Sequence, residues 1–211
     1  TKILATQGQC KVTGLEIDAD AIEKAKPYCE QIFQADLNSP DWPHLLESFD
    51  RFDVVLAADV LEHLYDPWTS LQRMVPLINK DGYLVISLPH IGHAGVMGCL
   101  MDGDFAYHDW GLLDRTHIRF FCLKNMEALF AQAKLKIIDV GYVTKHPLET
   151  EFADKWLTLS EPVKEALLGS TYASIFQVVI KAVPLDYSGD AVALVAPSPH
   201  YKSAPVLFAL L

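Results

Sequence analysis

Three acidic residues of this chain, Glu16, Asp36 and Asp59, each stand at the end of a short predicted strand. In an open parallel sheet, ligands bind outside the carboxyl ends of the strands. A carboxylate at such a position can accept hydrogen bonds from ribose hydroxyls or from an adenine amine. The spacing of the three acids therefore predicts a site for a nucleoside-bearing cofactor.

Asp59 begins a second chemical pattern with Glu62 and His63, at positions i, i+3 and i+4. One helical turn would bring these three side chains to the same side. Two carboxylates and an imidazole are suitable ligands for a divalent ion. In the alternative interpretation, His63 packs over the sheet and Glu62 faces solvent.

The composition limits the function classes. The chain has 211 residues, of which 51% are hydrophobic, and this supports one domain with a sizeable core. A formal net charge of −10 without any Lys/Arg cluster disfavours nucleic acid as a partner. No apolar run approaches the roughly 18 residues needed to cross a bilayer, so we expect no membrane insertion. Four cysteines without C-x-x-C spacing are typical of free thiols, and we expect a cytoplasmic protein.

The elements that must position these residues alternate along the first half of the chain. Strands predicted near 11–16, 32–35, 52–58 and 83–88 are separated by helical segments. The last of these helices is expected to begin at Asp66-Pro67, with the aspartate as its cap, and to run to Lys80. This order predicts an α/β fold with a doubly wound, mostly parallel sheet. A strand at 136–144 and a last strand at 172–183 follow, and the last one is expected to be antiparallel.

The domain boundaries follow from breaks in this pattern. We expect one domain over residues 1–183, in which the irregular segment 90–121 forms a lid or acceptor-binding insertion. Residues 184–211 are rich in Ala, Pro and Ser, and this composition predicts a tail or a linker. Residues 1–9 are typical of the last turns of a helix, so we expect the chain to be incomplete at its N-terminus.

Four segments resemble the class I S-adenosylmethionine-dependent methyltransferases. The segment 52–64 contains an L-E-H motif after the strand, as in one branch of that family, and 80–89, 12–18 and 113–121 resemble further parts of it. The resemblance implies a Rossmann-like sheet of seven strands. It also implies a first strand and a glycine-rich loop upstream of Thr1, and neither is in the sequence.

The resemblance assigns cofactor-binding roles by position. It implies that Glu16, with Ile17, holds the ribose hydroxyls, that Asp36, with Leu37, accepts from the adenine amine, and that Ala58 lies beside the methionine end of S-adenosylmethionine. In the alternative interpretation, Glu16 and Asp36 are ordinary carboxylates that cap nearby turns.

Methyl transfer to oxygen or nitrogen requires removal of a proton, and histidine suits this task because its pKa lies near neutrality. We expect His63 and His117 to be the catalytic histidines, whereas His90, His93 and His108 are further candidates. Some quinone-biosynthesis relatives use an E-x-x-E-H set as a magnesium site. The resemblance therefore implies Mg²⁺ at Glu62 and His63, with Asp59 in place of the first glutamate.

The insertion holds residues suited to an acceptor. Arg115 and Arg119 are candidates to bind a carboxylate or phosphate. Three aromatic residues could stack on a sugar or a planar ring: Tyr107, Trp110 and Phe120. In the alternative interpretation, Asp114 and Arg115 pair and only hold the loop.

The leading hypothesis is methyl transfer to a small-molecule acceptor, at the oxygen of a sugar, a glycolipid precursor or a similar metabolite. A NAD-dependent oxidoreductase is the second hypothesis, because an acid that ends the second strand also fits ribose recognition in dinucleotide folds. A non-catalytic methyltransferase-like binding module is the third. A homodimer or a fusion to another domain is the expected assembly.

Overall fold

The computed structural model describes residues 1–195. The chain forms two compact units, Thr1–Asp50 and Arg51 onward, and each is described by itself. Residues 196–211, the larger part of the predicted tail, lie outside the described residues.

The first unit contains a small parallel sheet. Strands β1 (Thr13–Glu16) and β2 (Gln31–Gln34) pair in parallel, and Glu16 lies opposite Gln34. The Asp18 carboxylate caps the connecting helix by accepting from Ala21 N at 2.7 Å. The remaining elements are α1 (Lys2–Thr6), α2 (Ala19–Ala25) and 3-10 helices at Lys26–Tyr28 and Trp42–Leu46.

The second unit is built on a four-stranded mixed sheet in the order β3-β4-β6-β5. The pair β3–β4 is parallel, whereas β6 is antiparallel to both of its neighbours. The strands are β3 (Phe52–Ala58), β4 (Ile78–Pro89), β5 (Leu135–Thr144) and β6 (Ile175–Pro184). The helices are α3 (Pro67–Met74), α4 (Ala94–Met101), α5 (Leu123–Gln132), α6 (Ala153–Thr158) and α7 (Glu161–Leu168).

Strand β4 lies at the centre of this sheet and forms much of its core. Leu84, Ile86 and Leu88 are fully buried, as are Val178 and Ile180 of β6. Strands covered on both faces have nearly continuous apolar sequences, and this explains why the sequence indicated them clearly. The α/β fold class and the antiparallel C-terminal strand are confirmed.

Two local predictions were wrong. The helix predicted to run to Lys80 ends at Met74, and Ile78 already begins β4. Pro76 explains the change, because it lies in the 3-10 helix Val75–Leu77 and its ring disfavours continuation of the α-helix. The insertion 90–121 was predicted to be irregular throughout, yet it contains α4, which His93 caps by accepting from Gly95 N.

The described chain beyond β6 runs alongside the α5–β5 region. Leu185 N donates to Lys134 O, and Val192 N donates to Ile137 O.

The four cysteines are free thiols. Within residues 1–195, every helix is too short or too polar to cross a membrane.

Candidate functional site

The predicted cofactor carboxylates lie at one edge of the small sheet. Glu16 ends β1 and Asp36 follows β2 by two residues, at the carboxyl ends of two paired parallel strands. Glu16 Oε1 accepts from the amides of Ile17 (2.8 Å) and Asp18 (3.0 Å), and Asp36 Oδ1 accepts from Asn38 N (2.8 Å). Each acid therefore holds its own turn, as the capping alternative expects. The ligand-binding roles of these two acids, of Ile17 and of Leu37 stay predictions.

Asp59 has an unusual backbone at the carboxyl end of β3. Its φ of +54° lies in the left-handed region, which non-glycine residues rarely adopt. Asp59 N donates to Ser87 Oγ at 3.1 Å, the Ser87 hydroxyl donates back to Asp59 Oδ1 at 3.1 Å, and Gln177 also donates to that oxygen. These contacts tie Asp59 to β4 and β6 at the carboxyl end of β3.

Glu62 is the most unusual polar residue in this unit. It lies in the 3-10 helix Leu61–His63, and both Leu61 and Glu62 are 0% exposed. Among the described residues, none forms a hydrogen bond with either oxygen of the Glu62 carboxyl. Burial, together with a smaller effect from the charge of Asp59, raises the pKa of this carboxyl to about 8. The interpretation that Glu62 faces solvent is therefore wrong.

The insertion brings His117 to this buried carboxyl. The backbone amides of Ile118 and Arg119 both donate to the carbonyl of Glu62, at 2.9 and 3.0 Å. As a result, His117 Nε2 lies 4.0 Å from Glu62 Oε1, and the rings of His117 and His63 are 4.8 Å apart. Burial lowers the pKa of His117, so this imidazole is neutral at physiological pH.

Both histidines are oriented through their Nδ1 atoms. His63 Nδ1 lies 3.1 Å from the carbonyl of Thr116, and His117 Nδ1 lies 3.2 Å from the carbonyl of Leu112. A carbonyl can only accept, so Nδ1 of each ring carries a proton. The Nε2 atom of the neutral His117 ring then keeps its lone pair. This arrangement is common in metal-binding histidines, whose other ring nitrogen donates to a carbonyl or carboxylate.

Glu62, His63 and His117 each offer a ligand atom, and these three atoms lie within 4.8 Å of one another. The site thus contains two imidazole nitrogens and one carboxylate oxygen, and Asp59 is not part of it. Asp59 is separated because its left-handed φ interrupts the helical turn that the sequence predicted. A tetrahedral metal with bonds of about 2.1 Å places its ligands about 3.4 Å apart, so the side chains would close slightly around it.

A cavity of about 490 Å³ opens beside His117. It is lined by Tyr107, Arg115, His117, Ile118 and Phe120. Several of these residues were predicted to bind the acceptor. Arg115 is exposed and pairs with Asp109 at 2.8 Å. The predicted Asp114–Arg115 pair is not observed, because Asp114 accepts from the amide and the hydroxyl of Thr116.

The remaining candidates have structural contacts. Arg119 donates to the carbonyl of Tyr65 and lies 5.6 Å from the ring centre of Trp68, so its guanidinium is engaged there. His90 and His93 are buried and bind the carbonyls of Ile175 and Lys145. Burial lowers the pKa of His90 to about 4 and also lowers that of His93, so both remain neutral.

Glu151 makes a contact that was not predicted from the sequence. Its Oε1 accepts from the amides of Leu112 and Leu113, the residues that precede the His117 turn. Sequence offers little signal for this contact, because Glu151 lies 39 residues beyond Leu112.

Comparison with known proteins identifies the family of this chain. The profile of the methyltransferase-domain family matches residues 1–140. The chain belongs to this family, as the resemblance predicted, and the family implies S-adenosylmethionine as the cofactor. No support for the oxidoreductase hypothesis comes from this match.

Curated relatives carry one recurring name. A ubiquinone biosynthesis O-methyltransferase of Coxiella burnetii is 23% identical over 143 residues, which cover 67% of this chain and 61% of the relative. The enzyme of the same name from Parvibaculum lavamentivorans is 27% identical over 117 residues, covering 51% of this chain and 41% of the relative. The chain thus aligns with less than two thirds of the length of these relatives.

Solved structures support the fold. A SAM-dependent methyltransferase from Archaeoglobus fulgidus superposes with a TM-score of 0.56 at 14% identity, covering 85% of this chain and 78% of that one. Magnesium protoporphyrin IX methyltransferase from Synechocystis, solved with bound SAH, gives 0.52 at 12% identity, covering 87% and 68%. At this identity the likeness concerns the fold alone.

Proposed function

We propose that the protein transfers a methyl group from S-adenosylmethionine to a hydroxyl oxygen of a small planar acceptor. Support comes from the family, from the O-methyltransferase name of its relatives, and from the cavity beside His117. The observation that carries the proposal is the buried Glu62 carboxyl beside two imidazole nitrogens at the edge of this cavity.

The cofactor-binding part of the proposal concerns the carboxyl edges of the strands. Glu16, with Ile17, would bind the ribose hydroxyls, and Asp36, with Leu37, the adenine amine. Ala58, at the end of β3, would lie beside the methionine end. The cofactor supplies an electrophilic methyl group on its sulfonium. Calorimetry with S-adenosylhomocysteine tests these roles, since Glu16→Ala should weaken binding strongly, whereas Glu23→Ala, on the exposed face of α2, should not.

We further propose that Glu62, His63 and His117 bind a divalent metal ion. Their ligand atoms lie within 4.8 Å of one another, and such a cluster is complementary to a cation. Imidazole-rich sites suit zinc, cobalt, nickel or iron, whereas Mg²⁺ prefers oxygen ligands. The proposed site therefore differs from the predicted Mg²⁺ site at Asp59, Glu62 and His63. A bound cation would lower the pKa of an acceptor hydroxyl coordinated to it.

The lining of the cavity indicates the kind of acceptor. Tyr107 and Phe120 offer aromatic surfaces for a flat ring, and Ile118 adds an apolar contact. Arg115 is suited to an anionic substituent at the mouth of the cavity. An aromatic diol fits this lining better than a sugar, which would need a denser set of polar side chains. The comparisons give no support for the sugar or glycolipid acceptor first considered.

Methyl transfer itself is the test. The full-length protein is incubated with methyl-labelled S-adenosylmethionine and either a substituted catechol or a hexose, with and without a chelator. We expect label on the catechol alone, loss of transfer in chelator, and recovery when Zn²⁺ or Co²⁺ is added back. His117→Ala should abolish transfer, whereas His44→Ala, at an exposed histidine of the first unit, should not.

Other outcomes separate the hypotheses. Transfer that survives complete removal of metal would contradict the metal role and would favour His117 as a general base, whose Nε2 lone pair faces the site. Binding of S-adenosylmethionine without transfer to any hydroxyl compound would favour the non-catalytic binding module.

A further inference from the structure

Glu151 contacts a single short stretch of the insertion from a distant part of the chain. It lies between the 3-10 helix Pro147–Glu149 and α6, outside the residues 1–140 that match the family profile. Its Oε1 accepts from Leu112 N and, at 3.3 Å, from Leu113 N. Its Oε2 is shielded from solvent and has no hydrogen-bond partner in the described part of the chain.

Gly111 is adapted to this contact. Its φ is +90°, and a Cβ atom at this position would lie 2.3 Å from Glu151 Oε1. A side chain at this position would strain the backbone and displace the carboxylate from its place. Leu112 and Leu113 are 1% and 0% exposed and pack with Phe152, so the stretch is fixed on its apolar side as well.

One peptide group links Glu151 to His117. The N–H of the Leu112–Leu113 peptide donates to Glu151 Oε1 at 3.3 Å, and the C=O of the same peptide accepts from His117 Nδ1 at 3.2 Å. Hydrogen bonds in series polarise one another, so a carboxylate on the N–H makes the carbonyl a better acceptor. His63 depends on the same loop, because its Nδ1 donates to Thr116 O.

We infer that Glu151 is a positioning residue that holds His117, through the Leu112–Leu113 peptide, with its proton on Nδ1 and its Nε2 directed at Glu62. This inference rests on the proposed function, in which that Nε2 acts as a ligand. Glu151 touches neither the acceptor cavity nor the proposed ligand atoms. Its role is to select the tautomer and the ring orientation of a residue that does.

The tautomer of His117 is the readout that a purely structural role would not move. Long-range ¹H–¹⁵N spectra of histidine-labelled protein at pH 8 distinguish the two neutral tautomers, and the His117 signal is assigned by its loss in His117→Gln. We expect the wild type to show the Nδ1–H form. Glu151→Ala should shift His117 toward a mixture of tautomers. Glu151→Gln should largely preserve the wild-type pattern, because its amide oxygen can still accept.

Two further variants provide the controls. Glu127→Ala removes a carboxylate that accepts from another backbone amide, that of Leu194 at 2.8 Å, and should leave the His117 signal unchanged. If Glu151→Ala fails to fold, Glu151→Asp keeps the charge but shortens the side chain by one methylene. The aspartate should then reproduce the shift, since its oxygens no longer reach both amides.

Cobalt titration of the same proteins separates the inference from the proposed function. We expect Co²⁺ affinity to fall about 10- to 100-fold in Glu151→Ala, the usual effect of losing an outer partner of a metal-binding histidine. A wild type that binds no Co²⁺ would contradict the proposed metal site, and the tautomer result would still decide the role of Glu151. A folded Glu151→Ala protein whose His117 signal matches the wild type would overturn the inference.

Discussion

Replacing Glu62 with glutamine should make the metal-free protein more stable while removing its metal site. The Glu62 carboxyl is 0% exposed and lacks a hydrogen-bond partner among residues 1–195. In the unfolded chain the same group is hydrated and ionises near its ordinary pKa of 4.5, whereas in the folded protein burial raises that pKa to about 8. At neutral pH, ionisation of Glu62 therefore stabilises the unfolded state relative to the folded state.

The magnitude follows from the pKa difference. Between the ordinary value of 4.5 and pH 7, the unfolded chain loses a proton that the folded protein keeps. This interval of about 2.5 pH units corresponds to about 3 kcal/mol of lost stability, and the loss approaches about 5 kcal/mol above pH 8. A glutamine at position 62 does not titrate. Its stabilising effect should thus grow as pH rises from about 4.5 to about 8 and should vanish below that range.

Urea unfolding in the presence of a chelator measures this effect at pH 4.5, 7 and 8.5. The control is Glu165→Gln, at an exposed carboxylate of α7, which should change the free energy of unfolding by less than about 0.5 kcal/mol. Equal or lower stability of Glu62→Gln at pH 7 would refute the reasoning, and so would a difference that does not depend on pH. A residue that destabilises the fold in this way is typical of a functional site.

Three further predictions concern the structure around the site. Burial lowers the pKa of His90 to about 4, so the protein should lose stability as pH drops from 6.5 toward 4. In urea unfolding at pH 5, the wild type should lose about 2 kcal/mol of unfolding free energy relative to His90→Asn. Parallel pH profiles of the two proteins would contradict this. Gly95→Ala would place a Cβ atom 2.4 Å from Phe152 and should cost about 1–3 kcal/mol, measured by thermal unfolding; an unchanged Tm would show that Phe152 moves freely. Asp66→Ala removes the cap that accepts from Thr69 N at 3.0 Å and should cost about 1 kcal/mol by urea unfolding, whereas Asp66→Asn should cost less; equal losses would contradict the capping role.

The parts of the fold that the sequence predicted well are those set by local patterns. The apolar run of β3 was placed at 52–58, as observed, and Asp66 was recognised as the cap of the following helix. The predicted end of that helix was wrong, because Ile78 fits the apolar spacing of a helix and also that of a buried strand. Periodicity alone cannot separate these two over a few residues.

The candidate site was only partly predictable. His63 and Glu62 were chosen from their spacing, and His117 from its place in the insertion, but nothing in the sequence joined the two segments. The two segments are connected by hydrogen bonds from the backbone amides of Ile118 and Arg119 to the Glu62 carbonyl. Because such backbone hydrogen bonds do not depend on residue type, the sequence does not reveal them. Asp59 was grouped with Glu62 by helical spacing, and its left-handed φ could not be foreseen for a non-glycine residue.

Metal stoichiometry and affinity test the central claim most directly, namely that Glu62, His63 and His117 form one binding site. The metal-free protein is titrated with Co²⁺, followed by its visible absorption and by calorimetry, beside His117→Ala and the His44→Ala control. We predict one ion per chain in the wild type and in His44→Ala, and a loss of at least tenfold in affinity in His117→Ala. Binding that is absent from the wild type, or unchanged in His117→Ala, would contradict the claim.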